Sequence, residues 1–194
     1  MKNLFIIILF IVSTSACTQS NEDNVKYKRA LAYIEGYHSN HNKQLLEKAL
    51  IALDSTSLDS TSSNYCKIAN TKISLYLLLE KYKEGIAFVD VIPENRFYKT
   101  YQKEMYLKSM LALNERDTLK RDSYYQQAIL AINSYLSNNP TDEQALTDLF
   151  YIRLRFEPRT KVLQGIDEYL KTDSNQIEFF KLLRQSIQQD TIPN

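Results

Sequence analysis

Three observations predict an all-α fold of stacked helical hairpins. Only three glycines and four prolines punctuate the 194 residues, far fewer than strands joined by turns require. Apolar residues recur at helical spacing in segment after segment. One short pattern also repeats: a small residue, then Leu or Ile, then another large apolar residue three positions on. It returns roughly every 40 residues, a period typical of paired helices that stack on one another.

Taken in order, helices are predicted over residues 27–37, 44–53, 65–79, 83–92, 98–113, 122–136, 142–156, 161–170 and 176–187. The second, fourth, sixth and eighth carry the repeated pattern, as Ala49-Leu50 with Leu53, Gly85-Ile86 with Val89, Ala128-Ile129 with Ile132, and Gly165-Ile166 with Tyr169. The third holds Cys66 within an apolar-periodic stretch, where a buried structural thiol is the plain reading. The fifth carries Tyr98, Tyr101 and Tyr106. The ninth carries Ile177, Phe179, Phe180, Leu182, Leu183 and Ile187, and with no hairpin partner after it should cap the open end of the array. Most linkers are short and polar, which favours antiparallel neighbours.

The small-residue pattern resembles the second helix of a tetratricopeptide repeat, in which a small side chain lets two helices approach closely. The third unit is most similar, because Ala128, Ile132 and Tyr135 are followed by Pro140 where the family ends its repeat. Tyr37, Ile73, Arg116 and Arg153 stand where the family prefers a small residue, and the spacing exceeds its 34-residue period. The resemblance implies a tetratricopeptide-like domain of about four hairpins with a C-terminal capping helix.

Ahead of that domain, Met1 and Lys2 lead into an apolar run over residues 4–12, then Ser13, Thr14, Ser15, Ala16 and Cys17. This is a charged start, an apolar stretch and a small-residue cleavage zone. The run is well short of the ~20 residues that cross a bilayer as a helix. A Cys directly after Thr14, Ser15 and Ala16 resembles the lipobox of bacterial lipoproteins, although that family most often has Leu where Thr14 stands. The resemblance implies cleavage before Cys17 and acylation of Cys17, with a membrane as one partner. Acyl burial at about 0.8 kcal/mol per methylene makes two or more chains a stable anchor.

Residues 1–16 are therefore read as a signal peptide, 17–24 as the lipidated Cys and a polar tether, 25–189 as the helical repeat domain and 190–194 as a tail. Glu22-Asp23 resembles the acidic export patch of lipoproteins from Bacteroidetes, which implies the outer membrane, on its periplasmic or its surface side. Similarly, Asp54-Ser55-Thr56, Asp59-Ser60-Thr61, Asp117-Thr118-Leu119 and Asp190-Thr191-Ile192 resemble the O-glycosylation motif of envelope proteins from that group. The resemblance implies Ser55, Ser60, Thr118 and Thr191 as sites. Capping by Asp and Ser explains the tandem Asp54-Ser55 and Asp59-Ser60 equally as a turn between helices.

Composition narrows the partners. Removing Lys2 with the signal balances 24 basic against 23 acidic residues, so no net charge draws the processed chain to nucleic acid or to an anionic surface. With Cys17 acylated, Cys66 has no thiol to pair with. No catalytic arrangement is recognised: His38 and His41 lie together in a polar turn with Glu35 the one acid nearby, and a metal needs further ligands. There is neither a Gly-x-Ser-x-Gly elbow nor a glycine-rich phosphate loop. The reading calls for no enzyme, no metal and no cofactor.

Fourteen tyrosines and no tryptophan remain. Tyr76, Tyr98, Tyr101, Tyr106 and Tyr151 fall on predicted first helices, which line the concave face of a helical solenoid. Two readings stand: the rings fill inter-helix packing with hydroxyls at the rim, or they line a groove for an extended peptide or partner helix. The sequence is thus expected to encode an envelope lipoprotein that binds or scaffolds another protein. A toxin-neutralising immunity or inhibitor lipoprotein and a surface lipoprotein that captures a substrate are the alternatives.

Overall fold

The computed structural model describes residues 21–56, 64–172 and 176–189, and these are all-helical with no strand among them. Along the chain the helices are α1 (Asn21–Asn40), α2 (Lys43–Asp54), α3 (Tyr65–Leu78), α4 (Tyr82–Val91), α5 (Gln102–Asn114), α6 (Thr118–Leu136), α7 (Glu143–Arg153), α8 (Arg159–Thr172) and α9 (Ile177–Gln189), with a short 3-10 turn at Glu94–Arg96. Each predicted segment overlaps one of them. The chain forms two compact units, divided after Lys103 inside α5.

In the first unit α1 begins at Asn21, so that the last residues expected in the tether are helical. The α1–α2 connection is built from side chains. His41 takes the left-handed conformation at φ 55°, and its N–H donates to the Tyr37 carbonyl at 2.7 Å. Asn42 then caps α2, its side chain accepting from the Gln44 N–H at 3.0 Å. Leu46, Ala49, Leu50 and Leu53 bury one stripe of α2. Gly36 on α1 lies so near α2 that a Cβ there would be 3.1 Å from Leu45 Cδ1.

α2 packs against α1 and α3, and α3 against α4. Lying between two neighbours, α3 is buried nearly all round, through Tyr65, Ile68, Ala69, Ile73, Leu75 and Leu78. Its buried polar groups are satisfied locally, with Asn70 Nδ2 donating to the Cys66 carbonyl and Thr71 Oγ1 to the Lys67 carbonyl, both at 2.8 Å. The helix ends in a Schellman motif. Lys81 N–H donates to the Tyr76 carbonyl and Glu80 N–H to the Leu77 carbonyl, at 2.9 and 3.2 Å. Glu80 occupies the left-handed position, φ 59°, that usually holds glycine.

The fifth helix departs from expectation. It starts at Gln102, leaving Tyr98 and Tyr101 in the irregular stretch before it. The residues just ahead of it are closed into a turn instead: Gln102 Oε1 accepts the Lys99 N–H at 3.2 Å, and the Gln102 N–H donates to the Lys99 carbonyl at 3.1 Å. Lys103 Nζ donates to the Asp90 and Ile92 carbonyls at 2.9 and 2.7 Å, tying the C-terminus of α4 to this turn.

In the second unit, Asp117 caps α6 by accepting from the Lys120 N–H at 2.8 Å, and Asp142 caps α7 by accepting from the Ala145 N–H at 3.1 Å. Tyr135 Oη also donates to Asp142, at 2.8 Å, so the end of α6 holds the start of α7. The extensive contacts here join α6 with α7 and α8 with α9, with a smaller contact between α7 and α9. The hairpin order expected from the repeats pairs α5 with α6 and α7 with α8. α7 and α8 nevertheless meet closely at Gly165, where a Cβ would lie 2.7 Å from Arg153 Nη1 and 3.3 Å from Phe150 Cε1. The aromatic series Phe150, Tyr169 and Phe180 fills the space between α7, α8 and α9, with centroid separations of 5.8 and 4.8 Å.

Glu80, like His41, is a left-handed non-glycine residue, and relieving it has a definite sign. Glu80→Gly removes a left-handed non-glycine residue while giving up an exposed ion pair to Lys43. It should raise the free energy of unfolding by about 0.5–1 kcal/mol in urea titration. A loss of stability would contradict the Schellman assignment.

Candidate functional site

The five tyrosines singled out by the sequence occupy different environments. Tyr101 is 3% exposed, a core residue of the first unit, so its ring is not offered to a partner. Tyr76 is half-buried with its ring 5.6 Å from that of Phe88, and burial, then the negative charges of Asp54 and Glu84, raise its phenol. In the second unit Tyr106 is half-buried, and burial followed by the Asp148 carboxylate lifts its phenol well above the usual range. Tyr151 is half-buried, its hydroxyl 2.8 Å from Ser186 Oγ on α9. Tyr98 alone of the five is exposed, at 55%.

Tyr98 stands in a small aromatic patch of the first unit. Partial burial pushes its phenol up to about 12, with Cys66 and Tyr27 the next contributors, so the ring stays a neutral hydrogen-bond donor at physiological pH. The Arg96 guanidinium lies 5.8 Å from the Tyr65 ring. Burial raises the Tyr65 phenol and the Cys66 thiol, and the Arg96 charge offsets part of each rise. Cys66 is free and half-buried, and its raised pKa leaves it as a protonated thiol of low reactivity. Exposed Tyr98, with half-buried Tyr27 and Arg96 beside it over the buried Tyr65 ring, thus combines aromatic and cationic groups of the kinds enriched at protein contact sites.

The remaining sequence candidates fall as follows. Cys17, Ser60 and Thr191 lie outside the described residues. Ser55 is exposed at the end of α2, and its Oγ donates to the Ala52 carbonyl at 2.8 Å. Thr118 is exposed at the start of α6, directly after the capping Asp117. His38 and His41 are exposed around the half-buried Tyr37, and no group of potential metal ligands occurs among the described residues.

Two charged residues carry structure that sequence reasoning missed. Lys72, on α3, is 7% exposed at its side chain and pairs with Asp54 at 2.6 Å. Its ammonium also sits 4.4 Å from the centroid of the Phe88 ring. The signal was a cation inside an apolar segment, though Lys67 offers the same signal and nothing local identified Asp54 as the partner of Lys72. Glu157, in the second unit, accepts two hydrogen bonds from Arg153 at 3.1 and 3.0 Å. Burial raises its carboxyl, but those bonds and the charges of Arg153 and Lys161 outweigh burial and leave it below the usual carboxylate range.

No family model, no curated protein and no solved structure matches the chain.

The asymmetric burial of the Lys72–Asp54 pair separates its two halves experimentally. Asp54 is half exposed, whereas Lys72 would remain buried without a carboxylate if Asp54 were neutralised. Asp54→Asn should therefore cost about 1–3 kcal/mol, while Lys72→Met should stay within about 1 kcal/mol of the parent in chemical denaturation. Equal losses in both variants would contradict this assignment.

Proposed function

We propose that this chain is a lipid-anchored envelope protein whose helical domain binds another protein, with Tyr98 as an anchor of the contact. The observation that carries the binding reading is the exposure of Tyr98 on a turn braced from both sides. Lys103 holds the end of α4, Gln102 closes the turn onto Lys99, and Phe97 and Tyr101 are buried on either side of the turn. A large ring held ready in this way loses little conformational entropy when a partner covers it.

The anchoring reading rests on the sequence before the domain, an apolar run over residues 4–12 followed by Ser13, Thr14, Ser15, Ala16 and Cys17. Among the described residues, no helix is long and apolar enough to cross a membrane. A tetratricopeptide-like arrangement is the architecture we propose. It is supported in the first unit by the pairing of α1 with α2 and α3 with α4, with α2 against α3. The burial of Ala49, Gly85 and Ala128 at the expected close-approach positions agrees with it. The outer membrane is the proposed site, and Ser55 and Thr118 stand as its proposed exposed glycosylation positions.

Both halves of the proposal have direct tests. A photocrosslinking residue in place of Tyr98 should give a discrete protein adduct in intact cells that Arg96→Ala weakens. The same probe at Leu119, 83% exposed in the other unit, should not give that adduct. Identical adducts at both positions, or none at Tyr98, would sink the binding reading. Cys17→Ala should leave the protein as uncleaved precursor or in the soluble envelope fraction. Continued fatty-acid labelling of that variant would sink the anchor.

A further inference from the structure

The outer face of α1 differs from its packed face in a way that points to a second surface. Ala30 is fully buried, and Tyr33, Ile34 and Tyr37 are half-buried on the side that meets the unit. Val25, Lys28, Arg29 and Ala32 are all exposed and follow the i, i+3, i+4, i+7 spacing of a single helix face. Val25 is 52% exposed, and Leu31 at the flank of the stripe is 38% exposed. The neighbouring cation Lys26 is directed inward, its Nζ donating to the Ser55 carbonyl at 2.8 Å. The outward charge in the middle of α1 is therefore that of Lys28 and Arg29, until Glu35 closes the stripe.

Chain length says what lies opposite this face. α1 begins at Asn21, and the proposed acylated residue is Cys17. A peptide spans at most about 3.6 Å per residue, so the start of α1 cannot stand farther than about 14 Å from the acylated residue. With a rise of about 1.5 Å per residue, the stripe occupies the first three turns beyond that point. If the helix lies along the bilayer beside its anchor, these cations come within a Debye length, about 8–10 Å, of the phosphates of its anionic lipids. Val25, Ala32 and Leu31 add apolar surface suited to the headgroup boundary.

We infer that the Val25, Lys28, Arg29 and Ala32 face of α1 lies on the anionic headgroup surface of the membrane that holds the acyl chains. The inference rests on the lipid-anchor reading of Cys17. It has a geometric consequence for the first unit. Tyr27, two residues from Val25 and from Arg29, lies on the other side of α1, near enough to Tyr98 to act on its phenol electrostatically. Docking by the stripe therefore leaves Tyr98 turned away from lipid and open to a protein.

The test uses the processed, acyl-bearing chain in vesicles of phosphatidylethanolamine and phosphatidylglycerol. A polarity-sensitive thiol probe is placed by Ala32→Cys, or by Ala87→Cys at an exposed position of α4 in the same unit, each in a Cys66→Ser background. The probe at Ala32 should be shielded from aqueous iodide several-fold more than the probe at Ala87, and should be quenched by nitroxide-labelled lipid. Lys28→Glu with Arg29→Glu should remove that shielding while the protein still sediments with the vesicles. Sedimentation with equal iodide quenching at the two positions would overturn this inference and leave the anchor standing. Shielding that persists in pure phosphatidylcholine or in the double charge reversal would overturn the assignment to anionic headgroups. Failure to sediment, with no fatty-acid label on Cys17, would overturn the anchor and the docked face with it.

Discussion

Helices in this protein meet where a larger side chain does not fit. Ala49 and Ala128 are fully buried, and Gly165 touches α7 so closely that a Cβ would press on Arg153 and Phe150. Interiors pack at crystal-like density, so the size of these residues sets the separation of the helix axes. The large residues follow from that separation. Leu46, Leu53, Ile73 and Leu75 fill the first unit, and Ile132, Phe150, Ile166 and Phe180 the second, each essentially without exposure. The ion pairs and hydrogen bonds between helices, such as Arg184 with Asp167 at 2.7 Å, then lock an approach that apolar packing has already determined.

Much of this was legible because helical periodicity is a property of consecutive residues. Every predicted segment overlaps a helix, although the caps Asp117 and Asp142 that set the starts of α6 and α7 were not identified. What could not be read depends on contacts from elsewhere in the chain. The aromatic spacing of Tyr98, Tyr101 and Tyr106 looks like one helix, yet a hydrogen-bonded turn between Lys99 and Gln102 precedes the helix, which begins after the first two. His41 and Glu80 occupy left-handed positions for which neither residue type is a signal. Which tyrosine is exposed is likewise a tertiary outcome, since Tyr98 and Tyr101 lie three residues apart at 55% and 3% exposure. The same limit hid Lys72, whose burial is tolerable because Asp54 on another helix compensates it.

The proposed role draws these features into one arrangement within the first unit. A lipid attached to Cys17 would hold α1 close to the membrane, with Lys28 and Arg29 toward headgroups and Tyr27 toward the Tyr98 turn. That turn is kept rigid by Lys103 and Gln102, so its exposed ring has a defined position for a partner to meet. The polar tether expected from sequence is shortened by the early start of α1 at Asn21, which ties the orientation of the domain more closely to the bilayer.

The close approach at small residues is the premise beneath all of this, and a matched pair of substitutions on α6 tests it most directly. Ala128 is fully buried and Gln126 is exposed on the same helix. Urea unfolding should show Ala128→Leu destabilised by about 1–3 kcal/mol, and Gln126→Leu within about 0.5 kcal/mol of the parent. Parent-like stability in both variants would contradict the claim that a small side chain at Ala128 sets the helix spacing.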